Sequence, residues 1–119
     1  MTRNSSQTPE SAAIKNLCLN AMDDLKAESV VVLDVGHHAS FTDTMIFASG
    51  TSTRHVSAIA GSLIDAAKQA KIEILGVEGE DVGEWVLVDL GDVIIHVMLP
   101  DVRQYYELEK LWGEELVDS

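Results

Sequence analysis

Apolar residues recur along this chain with two different periods, and the switches between them mark out its elements. Ile14, Leu17, Cys18, Ala21, Met22 and Leu25 fall at i, i+3, i+4, i+7, i+8 and i+11. That spacing puts all six on one stripe of a helix over about residues 10–27. Ser11 or Glu10 can begin it, because a side-chain oxygen there accepts from free N–H groups of the first turn. Val30-Val31-Val32-Leu33-Asp34-Val35 is β-branched and nearly continuous, the pattern of a strand buried on both faces. Gly36 to Asp43 is a connection. Thr44 to Ser49 reads as a second strand, stopped by Gly50. Thr51 and Ser52 can cap a second helix, in which Val56, Ile59, Ala60, Leu63, Ile64 and Ala67 repeat the spacing of the first. Lys68 and Lys71 lie near its end, where the helix dipole favours cations. Ile72 to Val77 is a short third strand.

Two apolar runs, Trp85–Leu90 and Val93–Met98, flank Gly91-Asp92, a two-residue hairpin signal. Pairing outward from the turn sets Leu90 opposite Val93, Val88 opposite Ile95, and Val86 opposite Val97. All six are apolar, so their shared face is core. The other face carries Trp85, Leu87 and Asp89 opposite Met98, His96 and Ile94. It is too apolar for a plain wet surface and too polar for a plain core. Pro100 then suits the first position of a helix, with Tyr105, Leu108, Leu111 and Trp112 making it amphipathic.

The order is helix, two strands, helix, three strands, helix. The strand–helix–strand passage from the second to the third strand predicts a parallel pair, and the last hairpin an antiparallel one. The fold class is therefore α/β, a mixed five-stranded sheet with three helices packed on it. Residues 10–112 form one domain between a frayed tail (1–9) and an acidic one (113–119). No internal repeat interrupts it.

Composition narrows the partners. The chain has 119 residues, 46% of them apolar, and 8 Lys+Arg against 20 Asp+Glu leave a formal charge of −12. Such a charge repels phosphate backbones, so direct nucleic-acid binding is not expected and a basic partner is favoured. Asp34, Asp89 and Asp92 break the best apolar stretches well short of the roughly 20 residues that a membrane helix needs. The first nine residues lack the apolar middle of a signal peptide. The single cysteine, Cys18, cannot form an internal disulfide, so a reducing, cytoplasmic location is expected.

Candidate chemistry is thin. Gly50-Thr51-Ser52, between strand and helix, can present backbone N–H groups to an anion. It lacks the lysine of a P-loop and the G-x-G-x-x-G of a dinucleotide site. Nucleotidyl transfer also wants two close carboxylates soon afterwards to hold Mg²⁺, and between Ser52 and Lys71 the only acid is Asp65. A strand stop and helix cap is the plainer reading; a nucleotidyltransferase-like, Mg-nucleotide-binding enzyme is the alternative. Asp89 and Asp92 resemble a metal pair until the hairpin register is drawn, which makes Asp92 a turn residue. His37, His38, His55 and His96 are scattered without metal-ligand spacing, and Cys18 lies on an apolar stripe where a thiol is inert. No metal or cofactor is called for. Charge is more informative. From Ile72 to Val102 there are eight acids and no Lys or Arg, and this run brackets the face bearing Trp85, Leu87, Ile94 and Met98. An apolar centre ringed by one sign of charge has the composition of a protein-binding patch; a helix covering that face is the other reading.

Asp43-Thr44-Met45-Ile46 and Gly50-Thr51-Ser52-Thr53-Arg54-His55-Val56 resemble motifs of the Iojap-related ribosomal silencing factors (RsfS). So do Gly76-Val77-Glu78-Gly79, the whole run from Trp85 to Met98, and Tyr106-Glu107-Leu108-Glu109-Lys110-Leu111-Trp112. The string W-x-x-x-D-x-G-D-x-x-x-H-x-M is highly specific, and the match runs from about residue 11 to Trp112. The resemblance implies binding to the large ribosomal subunit through its fourteenth protein, a steric block on subunit joining, and no catalysis. It also implies a nucleotidyltransferase-like core without the catalytic carboxylates, in agreement with the acid pair missing after Ser52. Trp85 and Tyr106 match aromatic positions implicated in the family's ribosomal contact. The expected site has Trp85 seated in a hollow of a basic ribosomal protein, with Leu87, Ile94 and Met98 packed around it. Asp89, Asp92 and Glu109 would pair with basic groups, and Tyr106 would add an aromatic edge. Self-association of the free protein as a homodimer competes for the same face.

Overall fold

A computed structural model describes residues 9–35 and 42–106, with side chains over 10–35 and 42–103. The first helix, α1, spans Pro9–Asp24 and stops before the expected residue 27. Lys26 takes a left-handed conformation (φ 58°). Its N–H donates to the Asp23 carbonyl at 3.0 Å, and the Ala27 N–H to that of Met22 at 3.0 Å, the paired bonds of a Schellman ending. The chain continues as β1 (Glu28–Asp34), β2 (Thr44–Ser49), α2 (Thr53–Gln69), β3 (Gly76–Glu78), β4 (Trp85–Asp89), β5 (Val93–Met98) and α3 (Pro100–Tyr106). The expected continuation of α3 through Leu108, Leu111 and Trp112, and both tails, lie outside the described residues.

Among the described residues the sheet has five strands in the order β1-β2-β5-β4-β3. It is mixed, as expected, but the parallel neighbour of β2 is β5 rather than β3. β3 sits at the far edge, antiparallel to β4. The passage through α2 therefore delivers a strand that runs in the sense of β2 but with two strands, β5 and β4, between them. The third strand is also shorter than the expected Ile72–Val77. Lys71 closes α2 in the same left-handed way as Lys26 closes α1 (φ 61°), and the Ile72 N–H donates to the Ala67 carbonyl at 2.8 Å. That amide serves the helix end and not the ladder.

β1 corrects a second expectation. It is an edge strand rather than a doubly buried one, with Val30 and Val32 38% and 37% exposed. Its register against β2 slips between Glu28 and Val31, where Ser29 holds φ 51°. A continuous apolar run shows that a segment is a strand; the number of neighbours it has is settled elsewhere in the chain.

Two apolar clusters lie on opposite faces of the sheet. The larger packs Cys18 and Met22 of α1, and Val56, Ile59 and Leu63 of α2, onto Ile46, Val86, Val88, Val93, Ile95 and Val97. The smaller joins Val35, Met45, Phe47 and Met98, flanked by Leu33, Trp85 and Val102. α3 belongs to this second side through Val102. It is tied down where the Leu99 N–H meets the Glu84 carbonyl at 2.9 Å and buried Arg103 donates from Nη1 to Ser49 Oγ at 2.9 Å.

Cys18 is fully buried, and desolvation pushes its thiol up to about 12. The thiolate, which is the reactive form, is thus suppressed. Native protein at pH 8 should react with a thiol-specific disulfide reagent at least about a hundredfold more slowly than protein in denaturant, because labelling waits on opening of the core. Absorbance of the released thiolate follows both rates.

Candidate protein-binding face of the sheet

The β4–β5 hairpin has the register drawn from its sequence. Trp85 pairs with Met98, Leu87 with His96, and Asp89 with Ile94. The turn closes through Leu90 N–H to the Val93 carbonyl at 2.9 Å. Gly91 adopts φ 86°, which primed hairpin turns require of the first central residue. Asp89 Oδ1 accepts from the Gly91 N–H at 2.9 Å, so this carboxylate helps to build the turn as well as lying on the half-polar face.

The two strands of that face differ. Trp85, Leu87 and Asp89 of β4 are half-buried, whereas Ile94, His96 and Met98 of β5 are buried. Ile94 and Met98, expected to pack around Trp85, are buried, and Met98 shares an apolar cluster with Trp85. β5 has β2 on one side and β4 on the other, and on this side Met98 joins Met45, Phe47 and Val35 as a floor. What the face offers outward is Trp85, Leu87 and Asp89. Asp92 is half-buried in the turn, and its carbonyl accepts from the N–H groups of Asp43 and Thr44, each at 3.1 Å. The Tyr106 backbone ends α3, its side chain is not described, and Glu109 lies outside the described residues.

The hairpin also holds a contact that sequence reasoning missed. The Trp85 indole Nε1–H donates to His96 Nδ1 at 3.1 Å, and the His96 ring stacks on Phe47 with centroids 4.9 Å apart and planes 8° from parallel. His96 is opposite Leu87, so Trp85 reaches it along the diagonal of the ladder, a neighbour within range of long aromatic side chains. That diagonal was available once the hairpin register was drawn. The Phe47 stack was not, because it depends on β2 pairing with β5. Gly79 supports the same corner. It holds φ 88°, and a Cβ there would overlap the Trp85 carbonyl oxygen.

Since Nδ1 accepts, the ring's proton resides on Nε2 and the imidazole is neutral. Burial pushes its pKa down to about 4. The Gly50-Thr51-Ser52 junction is likewise engaged in its own bonds. The Gly50 N–H donates to the Met98 carbonyl at 3.1 Å, the Thr51 N–H to His55 Nδ1 at 2.8 Å, and the His55 N–H to Ser52 Oγ at 3.1 Å. His55 Nε2 completes the latch on the Leu25 carbonyl at 2.7 Å. Gly50 is there for space, since a Cβ would lie 2.8 Å from Val56 Cγ2. This is the helix cap of the plainer reading, with a histidine tying the loop to the end of α1. Among the described residues no three His, Cys, Asp or Glu side chains are placed to hold a metal ion. No described helix is long and apolar enough to cross a membrane.

These features define a small acidic α/β protein with a half-open aromatic sheet face. A family model described as ribosomal silencing factor during starvation matches residues 8–119, and the chain belongs to that family, RsfS. It is 47% identical over 100 residues to the ribosomal silencing factor RsfS of Chromobacterium violaceum, covering 84% of this chain and 82% of that protein. It is 40% identical over 89 residues to the mouse mitochondrial assembly of ribosomal large subunit protein 1, covering 72% of this chain and 39% of the mouse protein. A crystal structure of a Chromobacterium violaceum protein superposes with a TM-score of 0.84 at 46% identity, over 86% of this chain and 85% of that one. The family is named for a regulatory role on the ribosome and not for a reaction.

The buried imidazole sets a pH dependence. An unfolded histidine takes up its proton near pH 6.5 and folded His96 only near 4. Between those values the unfolded chain binds more protons, so stability is full above about pH 6.5 and falls as pH drops toward 4. Urea unfolding should show a loss of about 2 kcal/mol between pH 7 and pH 5 from this group. The loss should shrink in His96→Gln, and an equal loss in both proteins would remove the assignment.

Proposed function

We propose that this chain binds the large ribosomal subunit through the subunit's fourteenth protein and, by its bulk, keeps the small subunit from joining, so that translation is damped. Membership of the RsfS family supports the ribosomal destination, and the mouse relative is itself named for assembly of the ribosomal large subunit. The observation that carries the reading is the presentation of Trp85. Its indole is held by His96 over a buried floor of Met98 and Phe47, in a stretch, Ile72 to Val102, that carries eight acids and no Lys or Arg. Glu78, Glu80, Asp81 and Glu84 are exposed along the approach to β4. An aromatic anchor held in one rotamer loses little entropy on binding, and the surrounding carboxylates steer a basic partner and set register more than they add affinity. Leu87 and Asp89 flank the anchor; Ile94 and Met98 act from beneath; Asp92, Tyr106 and Glu109 extend the contact.

Co-sedimentation with purified large subunits, with small subunits as the control, tests this. The protein should pellet with the large subunit alone and less at higher salt. Trp85→Ala should cost about 2 kcal/mol of binding, roughly thirtyfold in Kd, while circular dichroism and the unfolding midpoint show that it remains folded. Unchanged affinity in a folded Trp85→Ala protein would move the contact elsewhere. Equal pelleting with both subunits would overturn the proposal.

A further inference from the structure

A groove of about 720 Å³ lies between α1, the segment leaving α2 and the β4–β5 turn. It is at the opposite end of β4 from Trp85 and on the helix-covered side of the sheet. Its origin is the α2 ending described above. Because that turn claims the Ile72 amide and β3 begins only at Gly76, the chain after α2 runs past α1 before it joins the sheet, where the Leu75 N–H donates to the Asp89 carbonyl at 2.8 Å. The floor is apolar, made by Ile14, Leu17, Ile72, Leu75 and Leu90, and it is open, with Leu75 58% exposed. The charged members of the lining are Glu10, Glu73 and Asp92, all carboxylates. Lys71 lies between Ala70 and Ile72 in sequence but is not among the lining residues.

We propose that this groove binds a basic amphipathic segment of another protein, an apolar ridge flanked by Lys or Arg. Its volume lies in the range of pockets that enclose whole ligands rather than single side chains. The floor rewards burial of leucine-sized side chains, and the carboxylates at its edge are complementary to flanking cations. A second copy of this chain, at −12, would bring acid against acid. A nucleic acid would meet the same repulsion and find no cation among the lining residues to receive its phosphates.

Two short synthetic peptides test the assignment on the full chain by amide chemical-shift mapping and calorimetry. One places leucines on one helical face with lysines flanking them; the other replaces every lysine with glutamate. The lysine peptide should bind in the micromolar range and shift the amides of Ala13, Leu17, Ile72 and Gly91, and the glutamate peptide should not bind. Ala13→Arg, on the exposed lip of the groove, and the double reversal Glu10→Lys with Glu73→Lys should each weaken binding about tenfold or more. All three positions are exposed, and circular dichroism confirms that the variants fold. Shifts scattered over the acidic surface, equal binding of the two peptides, or binding insensitive to the variants would overturn the proposal. So would self-association that Ala13→Arg abolishes, which would assign the groove to a second copy.

Discussion

β5 is the strand on which the rest of the molecule depends. All six of its residues are buried, and a strand apolar on both faces is stable only if both faces are covered. Val93, Ile95 and Val97 point to the helices and Ile94, His96 and Met98 to the opposite side, so one segment nucleates both clusters. At about 25 cal/mol per Å² of apolar surface removed from water, leaving either side open would forfeit several kcal/mol, against a net stability of about 5–15 kcal/mol for a domain. The covering follows from this. α1 and α2 close one face, β2 and β4 flank the strand edge to edge, and α3 returns across the other face with Val102 and the Arg103–Ser49 bond.

The second face is covered less completely than the first, and the remaining opening is where Trp85 lies. An indole at the edge of an apolar cluster has an apolar body to bury and one N–H that must find an acceptor. His96 supplies it. The imidazole is itself costly to bury, and it survives there neutral, stacked on Phe47 and bonded through Nδ1. The result is a ring pair whose orientation is set from within the sheet rather than by a loop. An anchor positioned on a strand keeps its geometry better than one on a flexible connection.

Charge and topology together give the surface its character. The acids concentrated between Glu73 and Asp101 fall on the approach to β4, on the hairpin turn and at the lip of the groove beside α1. Local repulsion among them is tolerated because most are exposed to water, where such interactions are weak. The same distribution selects cationic partners on two sides of the molecule. The backbone that carries these acids superposes on the Chromobacterium violaceum protein over most of the chain.

The element types were legible in the sequence wherever a physical rule acts over a few residues. The helical stripes through Met22 and Leu63, the Ser52 cap, the Gly91-Asp92 turn and the pairing of Trp85 with Met98 are all of this kind, since local spacing determines which side chains share a face. What local spacing could not decide was which strand lies beside which. The Val30–Val35 run looks the same at the edge as at the centre, and the path from β2 to β3 does not reveal that β5 and β4 lie between them. That choice depends on burial summed over the whole sheet. With it came the buried positions of Ile94 and Met98, the Phe47–His96 stack and the groove beneath α1. The chemistry of the Trp85 face was therefore written in the residues of one hairpin, but how much of it water can reach was decided by a strand nearly fifty residues away, because burial is a property of neighbours and not of sequence order.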